Sequence, residues 1–325
     1  MKIVFFHGSS PLPVLGYGGI ERILFWHMCE LARMGHKVVL IGHPGSKVSA
    51  FGIELIPITG NLNLWTKLIP KDTDIIHLSF NQEVPGDIPV ITTVHGNGQV
   101  GEVFSKNSVF VSKKHAEIHG SKMFVHNAID INEYPYRPKE KRNWDQFLFL
   151  AKASWKVKNL KDIARASRAA NKHLHVAGGR WWGLSRYIHN HGIVGGTQKM
   201  EIMRNCDALI FAVRWPEPFG IAVIEAMSQG LPVIGSPYGS LPELINKDVG
   251  FIAGNYQELE NLLKEDHSKK FNPDQIRKYV EDNFGLKKHA ESYLGLYQKV
   301  INGENLNPTH PTFQLSKRAE DLLSF

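Results

Sequence analysis

A rhythm constrains this chain more than any single residue does. Short apolar runs of strand length alternate with helix-length amphipathic patterns; the alternation stops once and then starts again. Residues 2–6 read as a strand, 20–34 as a helix and 37–41 as a second strand, with Gly35 placed to end the helix between them. Further strands are expected at 53–58, 75–79, 89–94, 109–112 and 123–126. Residues 130–143 are polar, contain Pro135, Pro138 and the charge run Lys139-Glu140-Lys141-Arg142, and read as an interdomain linker. The rhythm resumes with strands at 147–151, 174–177, 207–213 and 232–235. Helices are expected at 160–171, 197–205, 219–229, 241–245, 258–264, 273–283 and 286–301, followed by a loosely packed tail from Gly303. Strands that alternate with helices imply parallel sheets with right-handed crossovers. The expected fold class is α/β, with two Rossmann-like parallel-sheet domains (1–135 and 136–285) facing a central cleft, and a closing segment, 286–325. Ligands of open parallel sheets bind at the carboxyl ends of the strands, so that cleft is the expected site.

A length of 325 residues suits two domains, and 42% hydrophobic with 21% charged residues is an ordinary globular composition. Cys29 and Cys206 have no metal or redox spacing, so they read as buried free thiols of a reducing cytoplasm. Only four apolar residues follow Lys2 before His7-Gly8, so no secretion leader is expected. No apolar run approaches the roughly 18 residues of a membrane span. A net charge of +7 attracts polyanions. No nucleic-acid module accompanies it, which leaves phosphorylated ligands or an anionic membrane surface as the expected partners. Lys106, Lys113, Lys114 and Lys122 fall in one segment, which reads either as an ordinary lysine-rich surface or as a patch where each would add about 1 kcal/mol toward anionic lipid.

Chemistry concentrates at Glu217-Pro-Phe-Gly-Ile-Ala-Val-Ile-Glu225. Pro216, Pro218 and Gly220 mark a turn, and Ile221, Ile224 and Met227 recur at helical spacing, so a helix is expected to start near Phe219. A helix start offers unpaired N–H groups and partial positive charge, which suits a diphosphate at Phe219, Gly220 and Ile221. Glu225 would lie about 6–9 Å along the axis from that start. One ligand could span the segment, with sugar near Glu217, phosphates at the helix start and ribose near Glu225. Carboxylates accept hydrogen bonds from paired hydroxyls.

Ala-Met-Ser-Gln-Gly-Leu-Pro-Val-Ile-Gly follows Glu225, and then comes Gly239-Ser-Leu-Pro-Glu243. From Glu217 to Ile245 the sequence resembles family 4 of the retaining glycosyltransferases. Gly16-Tyr-Gly-Gly-Ile-Glu21 resembles that family's glycine loop, Val125-His-Asn127-Ala-Ile-Asp130 its interdomain turn, and Phe284 with Tyr293-Leu-Gly-Leu-Tyr297 its closing helix. The resemblance implies the GT-B architecture, a last helix that returns to the N-terminal domain, and metal-independent transfer with retention. It implies Glu217 near the donor sugar, Glu225 on the ribose and no cofactor beyond a UDP-, GDP- or ADP-sugar donor. It also implies a saccharide or lipid-linked acceptor in polysaccharide, lipopolysaccharide or glycolipid synthesis, at the inner membrane face.

Other candidates carry their own alternatives. Gly18 and Gly19 would close over the diphosphate or simply form a surface loop. Lys152 and Lys158 bracket a loop and would stabilise charge on a departing diphosphate. The family usually has arginine at the first position, and lysine supplies a point charge, not a fork. His95 ends a strand and could orient a hydroxyl or the donor sugar. Family members read the base through backbone near the segment matching Ile193 and Val194. Asp72-Thr-Asp74 reads as structural, and the His115/His119 pair lacks a third metal ligand, so no metal site is expected. A sugar-nucleotide epimerase and a non-catalytic nucleotide-binding protein are the rival classes.

Overall fold

The computed structural model describes residues 1–14, 18–139, 141–316, 318 and 321–325. It opens with β1 (Lys2–His7), α1 (Gly19–Arg33), β2 (Lys37–Gly42), β3 (Ile53–Pro57), β4 (Ile75–Leu78), β5 (Val90–Val94), β6 (Ser108–Phe110) and α2 (Lys113–Glu117). β7 (Gln146–Leu150), α3 (Leu160–Ala169), β8 (His173–Ala177), β9 (Ile188–Gly192), α4 (Gly196–Asn205) and β10 (Ala208–Phe211) follow. The chain ends through α5 (Ile221–Ser228), β11 (Val233–Gly235), α6 (Leu241–Leu244), β12 (Gly250–Ile252), α7 (Tyr256–Lys264), α8 (Pro273–Phe284) and α9 (Leu286–Ile301).

Among the described residues there are two six-stranded sheets, ordered β3-β2-β1-β4-β5-β6 and β9-β8-β7-β10-β11-β12, and every pairing of neighbouring strands is parallel. Counted within its own sheet, each order is 3-2-1-4-5-6, the doubly wound order of nucleotide-binding folds. The apolar runs of β1 and β10 are buried on both faces, as strands flanked by helices require. One compact unit comprises Met1–Ile129 and Leu286–Ser316, and the other Asp130–Gly285 with the last residues of the chain. In unit 1, Val4, Phe6, Val39, Ile41, Ile76 and Leu78 form a core over which Trp65 lies stacked on Phe6. The core of unit 2 gathers Trp144, Phe147, Phe149, Ile163, Leu174 and Ile210. Burial of each such side chain stabilises by roughly 1.5–3 kcal/mol.

Several expectations change. Residues 123–126 form no strand, only a bridge from Phe124 to Phe110. β9 and β12 appear where none was expected, because the first is polar and the second very short. The described residues of the supposed linker fall within unit 2, and its Tyr134 is fully buried. The tail is not loose: Asn307 is buried and donates to Lys106 O and Ser108 O at 2.8 and 2.9 Å. Its last residues sit in unit 2, where Leu323 N donates to Arg214 O at 2.9 Å. Cys29 is half-buried, whereas Cys206 is buried as expected. Among the described residues no helix is long and apolar enough to cross a membrane.

Candidate functional site

In unit 2 the strand order reverses between β7 and β10, the kind of position at whose carboxyl ends open α/β sheets bind ligands. The loops after these two strands are cross-tied. Arg214 N donates to Val157 O at 2.7 Å, and Asn159 Nδ2 donates to Ala212 O at 3.0 Å. The ties place Lys158, from the first loop, against Glu217, from the second. Its Nζ lies 2.6 Å from Glu217 Oε2, and both side chains are about nine-tenths buried. Trp215 Nε1 donates to the same oxygen at 2.6 Å. Lys158 Nζ also lies 4.7 Å from the Trp215 ring centroid and 5.2 Å from that of Phe211, a cation–aromatic enclosure that strengthens on desolvation. Lys152 is exposed and lies over the Trp155 ring at 5.8 Å. The cation brought to the acidic residue is therefore Lys158; Lys152 stands apart from that ion pair.

The turn carrying Glu217 is held from behind. Ser240 N donates to Glu217 O at 2.9 Å, and Ser240 Oγ donates to Phe219 O at 2.7 Å. Gly220 then takes a left-handed φ of +86° as the N-cap of α5, so the helix begins at Ile221, not at Phe219. The Phe219 side chain is buried against Phe284 and is part of the core. Any anion contact it makes is through backbone.

One turn into α5, Glu225 is buried and meets two donors on Oε1. Lys199 Nζ from α4 lies 2.7 Å away, and the Tyr134 hydroxyl donates to the same atom. Lys199 is itself buried, in the first turn of α4, directly after the loop that carries Ile193 and Val194. Ile193 is 79% exposed. Tyr134 is fixed through its carbonyl, which accepts from Arg277 Nη1 at 2.8 Å, while the same guanidinium nitrogen donates to Ser228 O at the end of α5. Lys199, Tyr134 and Trp215 were not singled out from the sequence. A lysine in an amphipathic helix reads as solvated, and Tyr134 sat in the supposed linker.

In unit 1, Gly18 caps α1 and Gly19 begins it, while Gly16 and Tyr17 of the glycine loop lie outside the described residues. His95 follows β5, at a pocket also lined by His27, His77, Thr93, Asn127, His289 and Tyr293. Burial pushes its imidazole down to about 3, so it acts as a neutral ring, and its buried Nδ1 has no hydrogen-bond partner. His115 and His119 are structural. His115 Nε2 meets Gly96 O at 3.0 Å, and Gly98 N donates to His119 Nε2 at 3.1 Å, so both pin the loop that follows His95. Asp72 pairs with Lys2 Nζ at 2.7 Å, and Asp74 accepts from Lys2 N at 2.7 Å, which ties β1 to the start of β4. Among the described residues, no group of three or more His, Cys, Asp or Glu side chains is arranged to hold a metal ion.

The family model described as glycosyl transferases group 1 matches residues 138–281, the stretch that carries every residue of the unit 2 site except Tyr134. Spore coat protein SA of Bacillus subtilis (strain 168) is 26% identical over 147 residues, 38% of this chain and 39% of that protein. N-acetyl-alpha-D-glucosaminyl L-malate synthase of Bacillus anthracis is 28% identical over 95 residues, 27% of this chain and 25% of that protein. The chain thus spans well under half the length of these two curated relatives. Among solved structures, a glycosyltransferase involved in avilamycin A biosynthesis superposes with a TM-score of 0.73 at 22% identity, covering 93% of this chain and 98% of that one. Anabaena HepE in complex with UDP and glucose superposes with a TM-score of 0.66 at 17% identity, covering 92% and 100%. These likenesses establish the fold.

Proposed function

We propose that the protein is a retaining, metal-independent glycosyltransferase that moves a sugar from a nucleotide sugar to a hydroxyl acceptor, a reading supported by the match of residues 138–281 to the glycosyl transferases group 1 model and by the GT-B fold. The observation that carries this reading is the buried Lys158–Glu217 pair at the strand-order reversal of unit 2, with Glu225 eight residues further on. Glu217 lies ahead of the α5 start and accepts from the donor sugar. The free N–H groups at Gly220 and Ile221 face the diphosphate, and Glu225 takes the ribose.

Lys158 has two roles in this scheme. Without a ligand it neutralises Glu217. When a diphosphate departs, its flexible ammonium is close enough to turn toward the developing negative charge. Lys152, exposed on the same loop, adds a second point charge. Gly18 and Gly19 are assigned to the phosphates, and the backbone at Ile193 and Val194 to the base. His95, as a neutral imidazole, orients a hydroxyl. The UDP bound by the HepE relative supports a UDP-sugar as the first donor to try. A saccharide or lipid-linked acceptor in cell-surface glycan synthesis, with peripheral contact at the inner face of the membrane, completes the reading.

The test is Glu217→Gln, which preserves an acceptor for Trp215 and keeps the side-chain volume. Transfer from UDP-, GDP- or ADP-sugars to a panel of saccharide acceptors should fall by about 100-fold or more, while circular dichroism remains that of the parent. Full activity in the variant would sink the assignment of Glu217. An isomerised sugar nucleotide formed by the parent without any acceptor would replace transfer with epimerisation.

A further inference from the structure

Lys199 is an expensive residue to bury. Removing an ammonium and a carboxylate from water costs several kcal/mol each, and a hydrophobic pair of the same volume often serves stability as well or better. Yet Lys199 lies 2.7 Å from Glu225 Oε1 with both side chains about nine-tenths buried, and the fully buried Tyr134 hydroxyl donates to the same oxygen. The Lys199 ammonium also lies 5.6 Å from the Tyr134 ring centroid, so the three groups form one packed cluster. They come from three places in the chain: the segment before β7, the first turn of α4 and the middle of α5. Arg277 clamps two of these by donating at once to the carbonyls of Tyr134 and Ser228, each at 2.8 Å.

We propose that Lys199 is a positioning residue that gives the donor site its preference for a ribose over a deoxygenated sugar. The inference rests on the reading of Glu225 as the ribose carboxylate. A carboxylate has about four acceptor positions. Lys199 and Tyr134 take positions on one oxygen, which fixes the plane of the carboxylate and sets a positive charge beside it. As a carboxylate it offers only acceptors, and the vicinal 2′- and 3′-hydroxyls of a ribose are a pair of donors. Were Lys199 absent, the buried carboxylate would lose the charge that faces it and the contact that orients it. Lys199 also follows the Ile193–Val194 loop within one helical turn, with its N–H on Gly195 O at 3.3 Å, so the same residue links the base loop to the ribose contact.

The experiment compares the affinity of the full-length protein for UDP, GDP and ADP with that for their 2′,3′-dideoxy counterparts, by calorimetry. The parent should favour the ribonucleotide it binds best by about 10- to 100-fold, the worth of one or two hydrogen bonds to a charged group. In Lys199→Met the preference should shrink to less than about threefold, with the dideoxy affinity little changed. Tyr134→Phe, which leaves the ion pair intact and keeps the ring, should give an intermediate preference even if Lys199→Met does not fold. Lys199→Arg should restore part of it.

The outcomes separate the two claims. A parent that binds none of the nucleotides, or binds both forms equally, overturns Glu225 as the ribose contact. A parent that discriminates while Lys199→Met and Tyr134→Phe discriminate just as well leaves Glu225 in place and overturns the role of Lys199. Equal loss of both ligands in a folded Lys199→Met protein assigns Lys199 to the architecture of the site alone and likewise overturns it.

Discussion

At Gly239 the backbone takes a φ of +63°, and the turn passes so close to Glu217 that a β-carbon would overlap the Glu217 N and O atoms. Neither obstacle can move aside, because both are main chain, and Ser240 N donates to Glu217 O from the next residue at 2.9 Å. The close approach is what holds the Glu217 carboxylate toward Lys158. Gly239→Ala should therefore destabilise by about 1–3 kcal/mol and reduce transfer on the order of 100-fold. A melting curve and a single-turnover assay on the same preparation check both numbers. Parental activity in Gly239→Ala would show that Glu217 needs no such support. Gly239 stood in the sequence inside the motif that also contains Pro242 and Glu243, so the residue was legible but its reason was not. The same holds for Glu217 and Lys158, which were named as separate contacts and are one ion pair. Lys199 and Tyr134 left no local signal, because their partner Glu225 is 26 and 91 residues away.

The elements most legible in the sequence were those with an apolar period, and β9 was missed because its pattern is His189-Asn190-His191. The structure explains that composition. His173 and His175 of β8 face His189 and His191 of β9, with Nδ1 to Nε2 distances of 2.8 Å for His173–His189 and 2.9 Å for His175–His191. Each hydrogen bond needs one N–H and one bare nitrogen, so it cannot survive when both rings of a pair are protonated. β9 lies at the sheet edge, and its register to β8 shifts after Val176, so these side-chain bonds reinforce a short backbone ladder. Burial holds His175 down to about 4 and lowers His189 and His191, and for His175 the other three rings and Lys139 act in the same direction. Gln146 Oε1, at 2.8 Å from His175 Nε2, and the Tyr187 ring beside His173 complete the surroundings. A lowered folded-state value means that the attached strand takes up protons less readily than the detached one. Attachment is complete above about pH 6.5 and weakens as the pH falls toward 4. Hydrogen exchange of residues 188–195, corrected for intrinsic rates, should speed up between pH 7 and 5 in the parent. It should lose most of that pH dependence in a His175→Gln, His189→Gln double variant. Equal pH dependence in both proteins would mean that the histidines do not fasten the strand.

On the scale of the whole molecule, unit 1 is discontinuous, since α9 and the segment up to Ser316 belong with residues 1–129. What joins them is polar as well as apolar. Tyr297 OH lies 2.8 Å from His27 Nε2 and 2.6 Å from His77 Nδ1, His77 Nε2 lies 2.7 Å from Thr93 Oγ1, and Thr93 Oγ1 lies 2.6 Å from Tyr293 OH. Tyr293 and Tyr297 stood out in the sequence only through their resemblance to a closing helix, and the histidines they meet come from distant α1 and β4. Burial drives His27, His77 and His115 well below the ordinary imidazole value, His289 to about 4 and His95 to about 3, and neighbouring histidines add to the shift for His27, His77, His95 and His115. All are neutral in the folded protein and titrate near 6.5 once unfolded, so the unfolded chain binds more protons below that pH. The stability they confer is present above about pH 6.5 and is lost as the pH falls toward 4, at up to about 1.4 kcal/mol per pH unit for each ring. Asp207 of unit 2, held down by Lys139 and two backbone N–H groups, is lost in the same direction but at lower pH. Apart from the edge strand β9, acidification should therefore unfold the two units in sequence, with protection vanishing first in 1–129 and 286–316. Hydrogen exchange mapped by peptide from pH 7.5 to 4.5 reads this directly. Simultaneous loss in both units, or stability that stays flat down to pH 5, would mean that these imidazoles accept protons without cost and that their burial is not what makes unit 1 sensitive to acid.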